Sequence, residues 1–567
     1  MLRSSSPHRI LTATDRRLAL LIAIGVMLVS LPALFWGLPD GKAINGGLRI
    51  LDGEIPYRDF WTMYAPGQFY LVAVLFWTFG RHLMVQGIAS MLLVAADAAL
   101  LFVLLRRLDV PRGLAATSAT LFGLSLWGPG PEISSYEPAI FFLLLGFDRV
   151  VRYAQGEGIG VLFRAGLCYG AAACFKHDVA FYMMAGSVIG AGVSWIAARP
   201  RPSAWTNPVV AAGALACGAL LFVGPVIALL AWKAGPDAWE NLIVFPATEF
   251  RFVRGEGYPP LFFNLRSIWW WLNDIGNLQR GRETLIHIAM VILANLPQYV
   301  FVGGIACLML RRQQIPPAAW MASAVALSSM PFFWLVAHVQ QNTHLHSMAL
   351  YSFILIGLAW RALRQNPVRR LLTAVYVAYA AGLIIHPVTQ AAQAIYFWPE
   401  RRPLEFPIVR GIWIPDNEYQ YYAPITRFLR RHVPRDEPVY VGITRHDAIV
   451  ISNQRFYYLA ERRSSSRYNE LHPGYADDPE VQQEIIDAID RRGVRCLVLW
   501  QFGWSDAVLE EKKARRRAKL PHLGAVKLDE FLWTHFEPVT KYDEYYVMWR
   551  KGISKPNGGG KGVAARQ

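Results

Sequence analysis

Leu18–Leu38, LALLIAIGVMLVSLPALFWGL, runs straight into Pro39–Tyr70, PDGKAINGGLRILDGEIPYRDFWTMYAPGQFY. The first part is an apolar run of roughly 20 residues, the length an α-helix needs to cross a bilayer. The second carries Asp40, Asp52, Glu54 and Asp59 among aromatic, Gly and Pro residues. A connector between membrane helices has no structural need for so much acid and aromatic material. The pair therefore reads as a membrane span followed by a catalytic loop held against the bilayer surface.

Similar runs recur along the chain, which is 54% hydrophobic and only 17% charged, far from a soluble protein. In lipid a helix satisfies its own backbone hydrogen bonds, so these runs read as transmembrane helices. The formal charge of +16 could suit nucleic acid, but its placement excludes that partner. Lys and Arg cluster in short connectors, where they assign the cytoplasmic side. Arg3, Arg9, Arg16 and Arg17 precede the first span, which puts residues 1–17 inside. That span is too long for a signal peptide, and Pro39-Asp40 is no small-residue cleavage site.

Alternation follows from the charges. Gly87–Leu105 returns to Arg106-Arg107, Gly113–Trp127 goes out, and Ala139–Val151 returns to Arg149 and Arg152. Val161–Phe175 goes out to Lys176-His177-Asp178, and Val179–Ala198 returns to Arg199 and Arg201. Val209–Trp232, Leu285–Leu310, Ala318–Val339, Met348–Leu363 and Leu371–Ile385 continue the pattern, giving about 11 spans. Phe69–Phe79 is too short to cross and is placed as an interfacial helix.

From about Phe397 the chain is soluble in character. Helical spacing over Tyr419–Arg431 and Pro479–Arg492 alternates with strand-like Pro438–Ile443, Arg495–Trp500 and Tyr545–Trp549. This predicts a small α/β domain, outside because the number of spans is odd. The expected organisation is a polytopic α-helical membrane domain over 18–390, with outer loops at 39–86, 128–138 and 236–283. An outer-face α/β domain over 391–552 and a disordered tail over 553–567 follow. Cys168, Cys174, Cys217, Cys307 and Cys496 show no metal or disulfide spacing and read as small hydrophobes.

Several residues could carry chemistry. A carboxylate at the outer boundary can act as general base on a sugar hydroxyl or bind a cation beside a lipid phosphate. Asp40 is placed by the span before it. Asp59 follows Arg58 and either acts or pairs with it, whereas Asp52 and Glu54 read as turn residues. Lys176 is either a phosphate partner or a snorkelling lysine. Arg58, Arg251 and Arg254 are further phosphate candidates, and His177-Asp178 either shapes a site or forms a structural pair. His344 and His346 offer an HxH spacing without a third metal ligand, so substrate contact is the other reading. Ile268–Trp271, IWWW, reads as sugar stacking or interface belt, and Asp97, inside a span, faces the bundle interior.

The first span with its Asp, followed by RILDGEIPYRDFWTMYAPGQFYLVAVLFWTFG from Arg49, resembles the GT-C superfamily of membrane glycosyltransferases. Within it the chain is most similar to the bacterial branch related to protein mannosyltransferases and lipid A aminoarabinose transferases. Tyr136-Glu137-Pro138 opening a span agrees, as do AGLCYGAAACFKHDVAFYM, QNTHLHSMALYSFIL and the outer domain's RYNELHPG. The resemblance implies a GT-C core that transfers a sugar from a polyprenyl-phosphate donor to a glycan, lipid or protein acceptor, with inversion. The setting would be the outer face of the bacterial inner membrane. It implies Asp40 as the base and Glu137, with Lys176, His177, Asp178, Arg58, His344 and His346, as donor-binding candidates. A divalent metal (Mg or Mn) would be held by Asp40 and Glu137. Where the family often carries paired acids this chain has Asp40-Gly41, so the second acid would be Asp59 or Glu137. A flippase for lipid-linked sugars and a non-catalytic, envelope-polymer-binding protein are the competing expectations; no internal repeat of the transporter kind is visible.

Overall fold

The computed structural model describes residues 11–126, 130–197, 207–254, 278–310, 315–336, 342–363, 366–396, 398–448 and 452–556. It divides into two compact units, one of Met1–Ala33, Ile88–Ala228 and Glu256–Ile395, the other of Leu34–Gly87, Leu229–Gly255 and Tyr396–Gln567. The helices up to residue 234 are α1 (Ala13–Ser30), α2 (Lys42–Leu51), α3 (Gly67–Phe79), α4 (Leu83–Arg107), α5 (Arg112–Ser125), α6 (Tyr136–Ala154), α7 (Gly160–Ala173), α8 (His177–Ala197) and α9 (Pro208–Ala234). Helices Leu278–Leu310, Pro317–Val336, Asn342–Ala362 and Asn366–Tyr396 complete the helical unit.

Among the described residues, five helices are long and apolar enough to cross a membrane: Ala13–Phe35, Leu83–Arg107, His177–Ile196, Pro208–Ala234 and Pro367–Tyr396. Shorter apolar helices include Gly160–Ala173, Asn295–Met309 and Met348–Ala362. A 14-residue helix such as α7 is only about 21 Å long, less than the hydrocarbon thickness, and is not among the five. The chain is a multi-pass membrane protein.

Charge pairing gathers one set of helix ends. Thr12 and Asp15 form a capping box at the start of α1, Asp15 Nα donating to Thr12 Oγ1 at 3.1 Å. The buried Asp15 carboxylate also receives Arg106 Nε from the end of α4 at 3.0 Å and Arg112 Nε from the start of α5 at 2.9 Å. Arg107 pairs with Asp148 of α6 at 2.6 Å, and Arg361 with Asp109 at 3.3 Å. The Arg-rich ends that charge reading assigns to a common side thus meet through direct ion pairs. Close helix contact comes from small residues: a Cβ on Gly166 of α7 would lie 2.1 Å from Leu215 O of α9.

The other unit holds a four-stranded sheet in the order β3-β4-β6-β5, where β3 is Tyr440–Ile443, β4 Cys496–Trp500, β5 Phe536–Tyr542 and β6 Tyr545–Arg550. A small antiparallel pair, β1 (Arg401–Pro403) and β2 (Trp413–Pro415), precedes it. β3 and β4 are parallel, and helix Pro479–Arg491 lies between them in sequence; β6 pairs antiparallel with β4 and β5. Three of the four main strands match the sequence reading. β5 escapes it because FEPVTKY is polar and carries Pro538, which an edge strand tolerates.

Two stretches read as loops are helical. α2 lies inside the acidic stretch, its Gly46 and Gly47 packed so tightly on Phe69 and Val72 of α3 that a Cβ at Gly46 would be 2.3 Å from the Phe69 ring. Helix propensity disfavours that Gly pair, and packing overrides it. Pro236–Arg254 is a run of α and π turns that brings Phe245 against Trp61, with ring centroids 5.2 Å apart. Residues 557–567 of the expected tail lie outside the described residues.

Candidate functional site

Asp40 is held by its backbone. Gly37 Nα donates to Trp413 O at 2.9 Å, pinning the chain where it leaves the first span. Pro39 O then accepts from Arg455 Nε at 2.9 Å and from Tyr458 OH at 3.1 Å. Gly41 caps α2 at φ +95°, a left-handed conformation that turns the chain directly after Asp40. A Cβ there would also lie 2.7 Å from the Tyr458 ring. The Asp40 side chain itself is 65% exposed. Lys42 Nζ stands 3.6 Å from one of its oxygens and Arg455 Nη2 4.0 Å from the other.

Behind Lys42 lies a buried polar chain that sequence reading missed in part. Lys42 Nζ is 3.1 Å from Glu470 Oε1 and 3.4 Å from Tyr64 OH. Glu470 Oε1 also meets His472 Nε2 at 2.6 Å. Aromatic rings enclose the pair: Trp61 lies on Tyr475 at 3.8 Å between centroids, and Phe250 meets the His472 ring at 6.0 Å. Burial alone would push the Glu470 carboxyl up, but Lys42 and His472 outweigh it and hold it down at about 2. Burial would likewise push the Lys42 ammonium down, and Glu470, Tyr64 and Asp40 outweigh it and hold it well above the lysine range. Glu470 and His472 belong to RYNELHPG, quoted above for its resemblance. Lys42, two residues from Asp40 in PDGKAINGG, was the available signal.

Asp59 has different surroundings. Arg58 grips it with both ends of the guanidinium, at 2.9 and 2.8 Å, and Ile55 Nα donates to it at 2.7 Å. The Arg58 bond holds its carboxyl below the usual range against the opposing effect of burial, with Ile55 Nα adding to it. Glu54 pairs with Arg49, which also donates to Asp59 O at 2.8 Å. Asp52 pairs with Arg463 at 3.2 Å. These three acids close a turn.

In the helical unit, Glu137 lies in the first turn of α6 and its Oε2 accepts from Ser134 Nα at 2.9 Å and from Ser134 Oγ. It lines a cavity of about 180 Å³ with Ser30, Ser90 and Glu132. Asp97 is fully buried on α4, as its intramembrane position requires, and neither oxygen has a hydrogen-bond partner among the described residues. Lys176 donates to Asp178 Oδ2 at 2.8 Å and stands 5.3 Å above the Tyr136 ring, next in sequence to Glu137. Lys176 and Asp178 are therefore brought together, with His177 opening α8 between them. His344 and His346 fall in the first turns of Asn342–Ala362, and Arg251 and Arg254 in the helical turn Arg251–Arg254. Their side chains, like Ile268–Trp271 entirely, lie outside the described residues.

Among the described residues no three His, Cys, Asp or Glu side chains converge as a metal would require. Asp40 faces two cations, and one Glu137 oxygen is already taken by Ser134. This donor set does not fit a divalent ion, and no step below runs through one.

No protein-family model and no curated protein matches the chain. Solved structures do. The crystal structure of ArnT from Cupriavidus metallidurans bound to undecaprenyl phosphate aligns over 96% of this chain and 100% of that one, at 12% identity and a TM-score of 0.51. The Archaeoglobus fulgidus oligosaccharyltransferase in complex with Zn and sulfate aligns over 86% of this chain and 68% of its own, at 12% identity and a TM-score of 0.43. With its apolar helices and small C-terminal sheet, the chain shares the fold of that ArnT structure.

Proposed function

We propose that this protein transfers a sugar from a polyprenyl-phosphate-linked donor to an envelope glycan, lipid or protein, with Asp40 as general base. The observation that carries the reading is an exposed carboxylate on a clamped backbone, directly after the first span, in a chain with the fold of an undecaprenyl-phosphate-binding protein. The acceptor hydroxyl or amine attacks the sugar C1 while the bond from C1 to the carrier phosphate breaks. The phosphate leaves with the electron pair, and Asp40 takes the acceptor proton. A single base and a direct displacement give inversion. Cationic side chains stabilise the leaving phosphate, and Arg455, Lys176 and Arg58 are the candidates. Glu137, His177, Asp178, His344 and His346 are proposed as donor contacts, and Asp59 as a supporting acid. The membrane is the bacterial inner membrane, with the N-terminus cytoplasmic and the C-terminal domain outside.

The test is donor consumption by purified protein given a panel of polyprenyl-phosphate sugars and envelope acceptors, with Asp40→Asn as control. Transfer by the native chain and its loss in Asp40→Asn is the expected result. Full transfer by Asp40→Asn overturns the base assignment. Movement of lipid-linked sugar across vesicles without donor consumption makes the protein a flippase. Unchanged turnover in the presence of a chelator is expected from the donor set around Asp40.

A further inference from the structure

We propose that Lys42 is a positioning residue for Asp40, shared between Asp40 and a buried anchor formed by Glu470 and His472. The inference rests on the reading of Asp40 as base. An ammonium has three donors, and Lys42 Nζ faces three acceptors: Asp40 Oδ2 at 3.6 Å, Glu470 Oε1 at 3.1 Å and Tyr64 OH at 3.4 Å. The two carboxylates are unequal. Glu470 is 5% exposed and Asp40 is 65% exposed. The buried one cannot leave its partner without stranding a charge, so it fixes Lys42, and Lys42 in turn orients the exposed Asp40.

His472 sets the strength of that anchor, because its Nε2 meets the same Glu470 oxygen that Lys42 uses. Its buried ring stands among Trp61, Phe250 and Tyr475, with centroids 6.0 to 6.4 Å away. On the other side Arg455 is 4.0 Å from Asp40, its guanidinium already committed to Pro39 O and Tyr422 OH. Tyr458 holds Pro39 O from the same helix. The turn at Gly41 bends the chain so that residue 42 reaches back to residue 40. Asp40 thus sits between two tethered cations. A base held in one orientation shortens the search for the acceptor proton, which raises kcat and leaves acceptor binding nearly alone.

Two measurements test this. In the transfer assay, Lys42→Met is expected to lower kcat about tenfold with acceptor KM within about twofold, and Lys42→Arg to recover part of it. Glu470→Gln, which removes the buried charge that anchors Lys42 and leaves Asp40 as the one carboxylate beside it, is expected to lower kcat about threefold. The second measurement needs no donor. Zero-length carbodiimide cross-linking of the native chain, read by peptide mass spectrometry, is expected to join Lys42 to both Asp40 and Glu470. In Glu470→Gln the Asp40–Lys42 isopeptide should rise several-fold. An absent Asp40–Lys42 link in the native chain, or no rise in Glu470→Gln, overturns the sharing. If the native chain transfers and Asp40→Asn does not, but Lys42→Met keeps its kcat, the positioning role fails alone. If the native chain consumes no donor, the proposed function fails, and the cross-links still decide whether Lys42 is shared.

Discussion

The corner at Pro39–Lys42 and the turn at Asp52–Asp59 belong to one acidic stretch and look alike in sequence, each placing acids near basic residues. They are chemically opposite. In the turn, Asp59 is gripped twice by Arg58 and once by a backbone amide, so its lone pairs are spent on holding the loop. In the corner, the backbone is spent instead: Pro39 O takes two donors while the Asp40 carboxylate keeps only ion pairs at 3.6 and 4.0 Å and stays open to solvent. A carboxylate is available for chemistry when its neighbours hold the main chain and leave the side chain. Residue type alone does not decide it.

Four measurements can break or sharpen that contrast. Asp40→Asn should reduce transfer by about 100-fold or more while leaving the melting temperature unchanged, since general-base catalysis supplies that order of rate and the side chain bears little structural load. Asp59→Asn should do the reverse, costing about 1 kcal/mol in denaturant unfolding through the weakened Ile55 bond and lowering transfer only a few-fold. If Asp59→Asn equals Asp40→Asn in lost turnover at native stability, the contrast is wrong.

Next comes pH. Glu470 is held down at about 2, below its ordinary value near 4.3, so the folded state favours its charged form. Its contribution to stability is complete above that ordinary range and drains away as pH falls from about 4 to about 2. The native melting temperature should drop across this window, and Glu470→Gln should flatten the drop; an equal slope in both would refute the anchoring of Lys42. Smallest is Arg58→Ala, at the surface, where an unchanged melting temperature is expected, with a loss of turnover smaller than that of Asp59→Asn.

Much of the helical architecture was legible, because apolar runs and Arg-rich ends are consequences of lipid and of charge placement. The ion pairs of Asp15 with Arg106 and Arg112 show the same logic from within, joining ends that composition had already put together. Strands β3, β4 and β6 were legible as short apolar runs. α2 was not, because its Gly46-Gly47 pair argues against a helix until Phe69 and Val72 are seen to fill the space. Nor was the Lys42–Glu470 contact, whose partners are more than 400 residues apart in the chain. No local periodicity encodes such a pair.

By itself, then, the sequence determined that the chain is a multi-pass membrane protein, that a small α/β domain follows, and that Asp40 heads the first loop. Solvation sets those properties, and solvation is read from composition and period. Only the tertiary structure decided which acids are spent and which are open. That depends on which distant side chains reach the same few ångströms, and folding, rather than spacing, brings them there.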